Sequence, residues 1–306
     1  MGAVHRFNID FMGNRRIMFG ISAVLIIVAV AALGLRGLKF GVEFTGGTVI
    51  NVVNARTVTI EQMRKALADS GIQNAQLQEG TVNNVRGFIV RTEVTDPKLA
   101  NADATKVAAA TKLPEGDFQV TTIGPGWGKN VTNKALLALA VSLFAILLYV
   151  SLRFEYKMSV TAIIAIVHDI LITLGIYALV GWEISPNVIA ALLTIVGYSL
   201  YDTIVVFHRI KENSQGLVKQ SFMSMANESI NEVLVRSLNT TASSLMPVIV
   251  LLFFGGATLK DFALALTIGL AVGAYSSIGV AAPLYAIWKE REPKYAALAK
   301  KFAKAS

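Results

Sequence analysis

The chain has 306 residues, of which 54% are hydrophobic and 16% are charged, and its mean hydropathy is +0.57. This composition indicates a membrane protein, because soluble domains carry about 25% charged residues. A net charge of +8 would suggest nucleic-acid binding in a soluble protein. Here the basic residues lie mostly beside apolar runs, so we expect no nucleic-acid partner. The sequence has no cysteine, which excludes disulfides, thiol chemistry and cysteine metal sites.

Six apolar runs reach the length of about 18–25 residues that a bilayer-spanning helix needs. They cover residues 17–35, 135–152, 158–182, 186–207, 241–259 and 262–288. Arg15 and Arg16 precede the first run, as in a signal peptide, but its length and the lack of a small-residue cleavage site favour a retained anchor. We therefore predict a polytopic α-helical membrane protein with six transmembrane helices.

Basic residues fall in alternate connections between these runs and at both ends of the chain. Because short segments rich in Lys and Arg stay in the cytoplasm, we predict that both termini are cytoplasmic. The segments concerned contain Arg6, Arg15, Arg16, Arg153, Lys157, Arg209, Lys211, Lys219, Lys289, Arg291, Lys294, Lys300, Lys301 and Lys304. The predicted units are the N-terminus with the first helix (1–37), an external domain (38–133), a five-helix bundle (134–288) and a basic cytoplasmic tail (289–306).

The connection between the first two runs is long enough for one small domain. Thr59 is the predicted cap of its first helix, with Gln62 at the capping-box position and Gly71 at the end. The predicted strands cover residues 48–53, 75–78, 87–94 and 118–123, and a second helix covers residues 99–111. This β-α-β-β-α-β order predicts a small external α+β (ferredoxin-like) domain. No cluster of its residues resembles a catalytic site.

Asp169 lies near the middle of the third apolar run and directly follows His168. An imidazole titrates close to neutral pH, so the two side chains could form a proton relay. Adjacent residues on a helix diverge by ~100°, so His168 could equally point away. Both readings stay open on sequence alone.

Asp202 lies within the fourth apolar run. A carboxylate at the centre of a membrane helix costs about 2.5–3.5 kcal/mol on insertion scales, so such a residue usually pairs, binds an ion or carries protons. Helical spacing places Tyr198 and Ser199 on the same face as Asp202, with Thr203 beside it. That face predicts a carboxylate served by hydroxyl donors or by water. The alternative is a permanently paired acid that locks two helices together.

Arg236 precedes the fifth apolar run. If that helix starts near Val233, Arg236 lies in its first turns and could reach Asp202, which would keep the carboxylate ionised until the two separate. The alternative is an arginine whose charge extends to the membrane interface. Asn239 and Thr240 belong to a polar run after Arg236 and favour a hydrated path. In the sixth run, Gly269 and Gly273 form a face of small residues for close helix packing.

Taken together, four stretches of the chain resemble the SecF subunit family of the SecD–SecF protein-export complex, a branch of the resistance-nodulation-division superfamily. The stretches are GVEFTGGT (residues 41–48), VHDILIT (167–173), GYSLYDTIVVFHRIKEN (197–213) and RSLNTT (236–241). The likeness covers nearly the whole chain. In order, it takes in one leading span, an external domain and five clustered spans.

The resemblance implies a non-enzymatic motor subunit of the bacterial cytoplasmic (inner) membrane, with its domain outside the cytoplasm. It would use the proton gradient to drive late translocation and release of exported proteins. The implied partners are SecD in a heterodimer, the SecYEG channel, YajC, membrane lipids and the unfolded polypeptide in transit. No cofactor is implied besides the proton gradient, and sodium stays open as an alternative coupling ion.

The resemblance also implies roles for individual residues. Asp202 and Arg236 match the acid and the arginine that carry proton movement in the family, and Asp169 matches the polar acid of its third span. The predicted supporting polar path consists of Tyr198, Ser199, Thr203, Asn239 and Thr240. The predicted structural turn after the first span consists of Gly41, Glu43, Gly46 and Gly47.

Three positions depart from the family pattern. Glu43 stands where the family usually has Asp, Tyr201 where it often has Asn, and His208 where it usually has Asp. Because Glu keeps the charge and adds one methylene, we expect the turn at Glu43 to survive. The other two departures lie on the cytoplasmic end of the fourth helix, where they bear on the pH response and the coupling ion.

Three other functions compete with this reading. A proton-coupled exporter of small molecules or lipids from the same superfamily would use the same acids, but the external insert is small for a substrate-binding domain. A membrane scaffold would use the charged residues only to lock helices together. An intramembrane hydrolase is disfavoured, because the sequence shows no Ser-His arrangement and no HExxH motif.

Overall fold

A computed structural model describes residues 8–72, 75–82 and 85–303 of the chain. Within these residues, six helical stretches are long and apolar enough to cross a membrane. The elements in chain order are α1 (Arg15–Arg36), β1 (Lys39–Phe40), α2 (Val42–Thr45), β2 (Gly47–Val52), α3 (Ile60–Asp69), β3 (Gln76–Val82), β4 (Val85–Thr92), α4 (Pro97–Thr111), a 3₁₀ turn (Glu115–Asp117), β5 (Phe118–Ile123), α5 (Pro125–Arg153), α6 (Tyr156–Val180), β6 (Glu183–Ile184), α7 (Pro186–Ser214), α8 (Phe222–Phe254), α9 (Gly256–Ser276), a π-helical turn (Ser277–Ala281), α10 (Ala282–Glu290) and α11 (Pro293–Ala303).

The predicted fold class is confirmed, although several helices are longer than the apolar runs. The fifth membrane helix, α8, begins at Phe222, well before the expected start near Val233. Polar residues extend it beyond the apolar run, and hydropathy alone does not detect them. The basic tail contains the helix α11, which ends at Ala303. Of the basic residues used to predict orientation, Arg6 and Lys304 lie outside the described residues.

The sixth span is interrupted by the π-helical turn between α9 and α10. Pro283 follows this turn and has no N–H to donate to the carbonyl of Gly279, so the regular helical ladder cannot continue there. A π turn accommodates one extra residue in such a place and reorients the side chains around it. The turn and its preceding residue carry Ser276 and Ser277, both fully buried.

The α+β domain has the predicted order, with a four-stranded antiparallel sheet arranged β3-β4-β2-β5. Thr59 and Gln62 form the predicted capping box, with Gln62 N–H donating to Thr59 Oγ1 at 3.2 Å and Thr59 N–H to Gln62 Oε1 at 2.8 Å. Alternate residues of the strands point to the two helices, and their buried core includes Val52, Met63 and Phe88. The ferredoxin-like arrangement is therefore the observed one.

In the membrane bundle, α6, α7 and α9 form the centre, and α1 and α5 lie at its edge. Glycines allow the close approach of these helices. A Cβ at Gly175 would lie 2.2 Å from Ala29 Cβ of α1, and a Cβ at Gly269 would lie 2.2 Å from Ile195 Cδ1 of α7. Only glycine fits at these contacts, so helix α9 packs on α7 through the predicted small-residue face.

The two ends of the bundle differ in their neighbours and in their charged residues. The domain face is the end next to the α+β domain. There β1 pairs in parallel with β6, and Lys39 is the register partner of Glu183 in this backbone pairing. There, Arg91 of β4 forms an ion pair with Glu183, with Nε 3.2 Å from Oε2. The basic face is the opposite end, where Lys157 pairs with Glu292 at 2.8 Å. Burial opposes ionisation of Glu292, but hydrogen bonds from Lys157 and Lys289 lower the pKa of its carboxyl group.

Candidate functional site

Asp169 occupies the centre of the bundle and is 1% exposed. Its Oδ2 accepts hydrogen bonds from Ser199 of α7 at 2.5 Å and from Ser276 of α9 at 2.8 Å. Its Oδ1 lies 2.9 Å from Nδ1 of His168. The short distance from Ser199 is typical of a hydroxyl that donates to an ionised carboxylate. Three groups on three helices therefore hold this side chain.

His168 faces Asp169 rather than pointing away, so the geometry of the relay is present. The other ring nitrogen, Nε2, lies 3.2 Å from Ser22 Oγ of α1. Ser22 Oγ in turn lies 3.1 Å from the hydroxyl of Tyr275, which donates to the carbonyl of Met18 at 2.6 Å. The hydrogen-bond chain of Asp169 thus reaches the first membrane helix.

Asp202 is also buried, with 3% of its surface exposed, but it has far fewer partners. Ser237 of α8 donates to Oδ1 at 2.6 Å. Oδ2 has no hydrogen-bond partner among the described residues. Ser277 also lies beside Asp202, and its hydroxyl contacts the carbonyl of Gly273 at 3.0 Å and Oγ1 of Thr203 at 2.9 Å. Ser237 on the neighbouring helix α8 therefore provides the short hydrogen bond that fixes this carboxylate.

The predicted hydroxyl residues contact other partners than Asp202, the acid whose helical face they were expected to share. Ser199 serves Asp169 rather than Asp202. Tyr198 donates to Thr241 of α8 at 3.1 Å, and Thr203 pairs with Ser277 at 2.9 Å. Residues on one helical face point to more than one neighbouring helix, so here these hydroxyls contact Asp169, Thr241 and Ser277, and the polar path around Asp202 stays a prediction.

Arg236 does not pair with Asp202 in this arrangement. It is exposed on the outer side of α8, where its guanidinium lies 3.4 Å from the hydroxyl of Tyr201. The next residue, Ser237, takes the place facing Asp202. Thr240 Oγ1 donates to the carbonyl of Arg236 at 2.8 Å, and Asn239 is exposed, so neither contributes to a path at Asp202 here.

The turn after the first span has a backbone conformation that requires glycine. Gly46 and Gly47 have φ angles of 81° and 145°, and a Cβ at Gly47 would lie 2.4 Å from the carbonyl oxygen of Thr92. Gly41 donates its N–H to the carbonyl of Ile184 at 2.9 Å. The carboxylate of Glu43 folds back over Gly41, where a Cβ would lie 2.5 Å from Oε2. The extra methylene of Glu43 is thus accommodated, and the turn joins the domain to the bundle.

Sequence reasoning missed four residues that complete the two carboxylate sites: Ser22, Tyr275, Ser276 and Ser277. For the last three, the available signal was a cluster of hydroxyl side chains in the sixth apolar run, where a membrane helix seldom keeps polar groups without partners, whereas Ser22 lies in the first run. Gly273 makes room for them, because a Cβ there would lie 3.2 Å from Ser199 Cβ and 3.5 Å from Asp169 Oδ2.

This arrangement favours the binding and release of a small cation such as a proton. Two carboxylates lie within one bundle, and the second has an oxygen without a hydrogen-bond partner among the described residues. Within the described part of the chain, no three His, Asp or Glu side chains converge as they would around a metal ion. Serine and threonine hydroxyls can donate or accept, so they can follow a change in the protonation of either acid.

Comparison with known proteins gives a consistent result. The family described as "Protein export membrane protein SecD/SecF, C-terminal" matches residues 104–291, and the "SecD/SecF GG Motif" matches residues 31–52. The chain is 40% identical over 302 residues to the protein translocase subunit SecF of Streptomyces coelicolor, covering 95% of this chain and 80% of that one. It is 38% identical over 294 residues to SecF of Desulfurispirillum indicum, covering 93% of each chain.

A solved structure shares the fold as well. The crystal structure of SecDF, a translocon-associated membrane protein from Thermus thermophilus, superimposes with a TM-score of 0.80 at 35% identity. The match covers 95% of this chain and 40% of that SecDF chain, so the chain spans well under half of this relative. With six membrane-crossing helices, the α+β domain after the first of them and this similarity over nearly its full length, the chain belongs to the SecF family of protein translocase subunits.

Proposed function

We propose that the chain works as the SecF half of a SecD–SecF assembly in the bacterial cytoplasmic membrane and couples the proton gradient to late translocation and release of exported proteins. Its termini and basic face lie in the cytoplasm, and the α+β domain lies outside. SecD is the direct partner, and the SecYEG channel, YajC and the emerging unfolded polypeptide are contacted in the assembly. The relative named SecDF, which contains a counterpart of this chain, supports the partnership with SecD.

The buried Asp202 carboxylate carries this proposal: Ser237 donates to Oδ1, and Oδ2 has no hydrogen-bond partner among the described residues. A proton that arrives at Oδ2 or leaves it changes the surroundings of Ser237 on α8 and of the nearby Ser277. When the proton leaves, the negative charge attracts the nearest cation. Arg236 precedes Ser237 on α8, and within the described residues its guanidinium contacts the hydroxyl of Tyr201, so we propose that it turns towards Asp202 in the deprotonated state.

The exposed face of α8 supports a partner subunit at this position. Arg236 and Asn239 are exposed on it, and so are the apolar side chains of Met246 and Phe253, at 68% and 75%. Polar side chains of a membrane helix that face lipid are costly, so a partner helix is expected to cover this face. SecD is the proposed occupant.

The proton gradient provides enough energy for such a cycle. One proton that moves through a potential of ~100 mV releases about 2.3 kcal/mol. Inverting a two-state equilibrium from 1:99 to 99:1 takes about 5.5 kcal/mol, so a few protons are sufficient to bias the external domain between two positions.

The test is export of a model substrate by membrane vesicles that contain Asp202→Asn with normal amounts of assembled complex. We expect export to fall to the level measured without a gradient, because Asn offers an acceptor to Ser237 but cannot bind and release a proton. Glu212→Gln is the matched control, because Glu212 is an exposed acid on the same helix. Export that stays fully gradient-dependent in Asp202→Asn would show that Asp202 is a structural acid and that the proposal is wrong.

A further inference from the structure

The hydrogen-bond chain between Met18 and Asp169 fixes how many protons it holds. A backbone carbonyl can only accept, so the Tyr275 hydroxyl uses its one hydrogen on the carbonyl of Met18, at 2.6 Å. The contact of 3.1 Å between Tyr275 and Ser22 then needs the hydrogen of Ser22. With that hydrogen used, the contact of 3.2 Å between Ser22 and His168 needs a hydrogen on Nε2 of the ring.

The same count continues through the imidazole ring to Asp169. Nδ1 of His168 and Oδ1 of Asp169 lie 2.9 Å apart, so one hydrogen must lie between them. If it belongs to the ring, His168 is an imidazolium beside a carboxylate. If it belongs to the acid, His168 is neutral with its hydrogen on Nε2. The two forms contain the same number of protons and have the same net charge of zero. The neutral ring beside an ionised acid has one proton fewer and leaves one contact of the chain without a donor.

We infer that the His168–Asp169 pair is a proton-binding site that is occupied in this arrangement, and that Ser22 and Tyr275 connect its occupancy to the packing of α1. This inference deepens the proton-coupled function proposed above and rests on it for its mechanical consequence. The occupancy itself follows from one fixed donor, the Tyr275 hydroxyl on the carbonyl of Met18, and from the requirement that each of the next three contacts contains one hydrogen.

The neighbours of the pair on each packed helix support the assignment. Asp169 on α6 and Tyr275 on α9 are the titratable groups that contact His168 or its hydrogen-bond chain. The other groups are the hydroxyls of Ser22 on α1, Ser199 on α7 and Ser276 on α9. Within the described residues, no Lys, Arg or further acid forms an ion pair with either member. The 2.5 Å contact from Ser199 favours the form with the imidazolium and the carboxylate.

Loss of the proton has a defined structural result. Nδ1–H keeps its bond to Asp169, and the Ser22 hydroxyl turns to donate to Nε2. The contact between Ser22 and Tyr275 then has no donor, so α9 loses a hydrogen bond to α1. Helix α1 continues through β1 into the turn that holds the α+β domain against the bundle. Proton occupancy in the centre of the bundle is therefore coupled to the helix that carries the external domain.

The experiment uses ¹⁵N-labelled histidine in the full chain, reconstituted in lipid nanodiscs. The sequence has three histidines, and His5→Gln with His208→Gln leaves His168 as the one labelled ring. At pH 7 we expect both ring nitrogens to be protonated, or Nε2 alone to be protonated with an infrared carbonyl band from protonated Asp169. At higher pH the proton is lost to the buffer, and the spectrum should change to a neutral ring with its hydrogen on Nδ1.

Tyr275→Phe tests the role of the chain. It frees the Ser22 hydroxyl to donate to Nε2, so at a fixed pH the ratio of unprotonated to protonated Nε2 should rise about two- to ten-fold, the equivalent of one hydrogen bond. Ser22→Ala should change this ratio in the same direction and serves as the second variant if Tyr275→Phe does not fold. Tyr285→Phe is the matched control in the same span, because its hydroxyl lies beside Glu155 at 3.5 Å and contacts no member of the chain.

Two results would overturn the inference. One is a His168 ring with Nε2 unprotonated throughout pH 5–8. The other is a ratio of unprotonated to protonated Nε2 that stays unchanged in both folded variants of the chain. These outcomes are independent of the export test. If Asp202→Asn loses export and His168 is unprotonated at Nε2, the proposed function is supported and the proton site at His168 and Asp169 is rejected. If the pair is occupied and Asp202→Asn exports normally, the proton site is supported and the proposed function is rejected.

Discussion

The two intramembrane carboxylates lie in one bundle but are held very differently. Asp169 receives hydrogen bonds from Ser199 and Ser276 and contacts His168, so its oxygens are linked to three helices. Asp202 receives one hydrogen bond, from Ser237, and its second oxygen has no partner among the described residues. A carboxylate with a full set of donors resists a change in position, whereas one with a single donor can gain or lose a proton at little structural cost.

This difference in hydrogen bonding gives the two acids different tasks, which the sequence alone does not distinguish. Asp169 joins helices and, through His168, extends to α1. Asp202 lies where α7 meets α8, the helix whose outer face carries Arg236. We therefore expect substitutions at Asp169 to lower the stability of the bundle more than substitutions at Asp202 do.

The largest expected effect is the loss of stability in Asp169→Ala. This change leaves the donors of His168, Ser199 and Ser276 without their acceptor, and we expect a loss of about 2–5 kcal/mol in the free energy of unfolding. Asp202→Ala leaves only Ser237 without an acceptor and should cost about 1 kcal/mol. Reversible unfolding in mixed micelles of dodecyl maltoside and SDS measures both values. Equal losses in the two variants would contradict the comparison.

A smaller effect is expected where the helices around Asp169 approach each other. Gly269→Ala places a Cβ 2.2 Å from Ile195 Cδ1, so α9 and α7 must separate or Ile195 must leave its rotamer, at a cost of about 1–3 kcal/mol. Gly197→Ala on α7 is the matched control, because no atom lies within 4 Å of its added Cβ. The same micelle unfolding assay applies. If both variants lose the same stability, close packing at Gly269 does not support the Asp169 site.

Much of the fold could be predicted because its signals are local. Hydropathy marked the six spans, and the spacing of Thr59 and Gln62 marked a capping box that is present in the structure. The start of α8 at Phe222 could not be predicted, because its first turns are polar and pack against the N-terminal segment through Asn227 and Asn231. Such packing between distant parts of the chain leaves no periodic signal in either part.

The candidate site shows the same limit. Helical spacing correctly identified buried acids and hydroxyls, but it grouped Ser199 with Asp202 because both lie on α7. Which carboxylate a hydroxyl serves depends on the neighbouring helix. Here Ser199 of α7 reaches Asp169 of α6, and Gly273 of α9 has no side chain to occupy the space beside this contact. The resemblance to the family likewise identified Arg236 without indicating that Tyr201 holds it in this arrangement.

A third acid, Glu183, extends the comparison to the domain face. Its side chain is 10% exposed and, unlike either intramembrane acid, it has a cationic partner, Arg91. Burial nevertheless raises the pKa of Glu183, Glu43 and Asp261 add to the rise, and Arg91 opposes it. With the domain docked, Glu183, which lies on β6 between α6 and α7, thus binds its proton more tightly than it would with the domain undocked. Docking is favoured at low pH and weakens as the pH rises through the raised pKa.

The expected change in docking is the smallest of the three, because Arg91 opposes the effect of burial on the pKa of Glu183. Trp182 lines the cavity between the domain and the bundle next to Glu183, so its fluorescence reports docking once Trp127 and Trp288 are replaced by Phe. We expect the emission of Trp182 to titrate above the ordinary glutamate value of 4.5, and Glu183→Gln to remove this titration.

The control variant is Glu115→Gln, at an exposed acid of the α+β domain, which should leave the titration unchanged. A titration that persists in Glu183→Gln would assign the pH response to another acid of this face and would show that the ion pair of Glu183 with Arg91 serves only to hold the structure together.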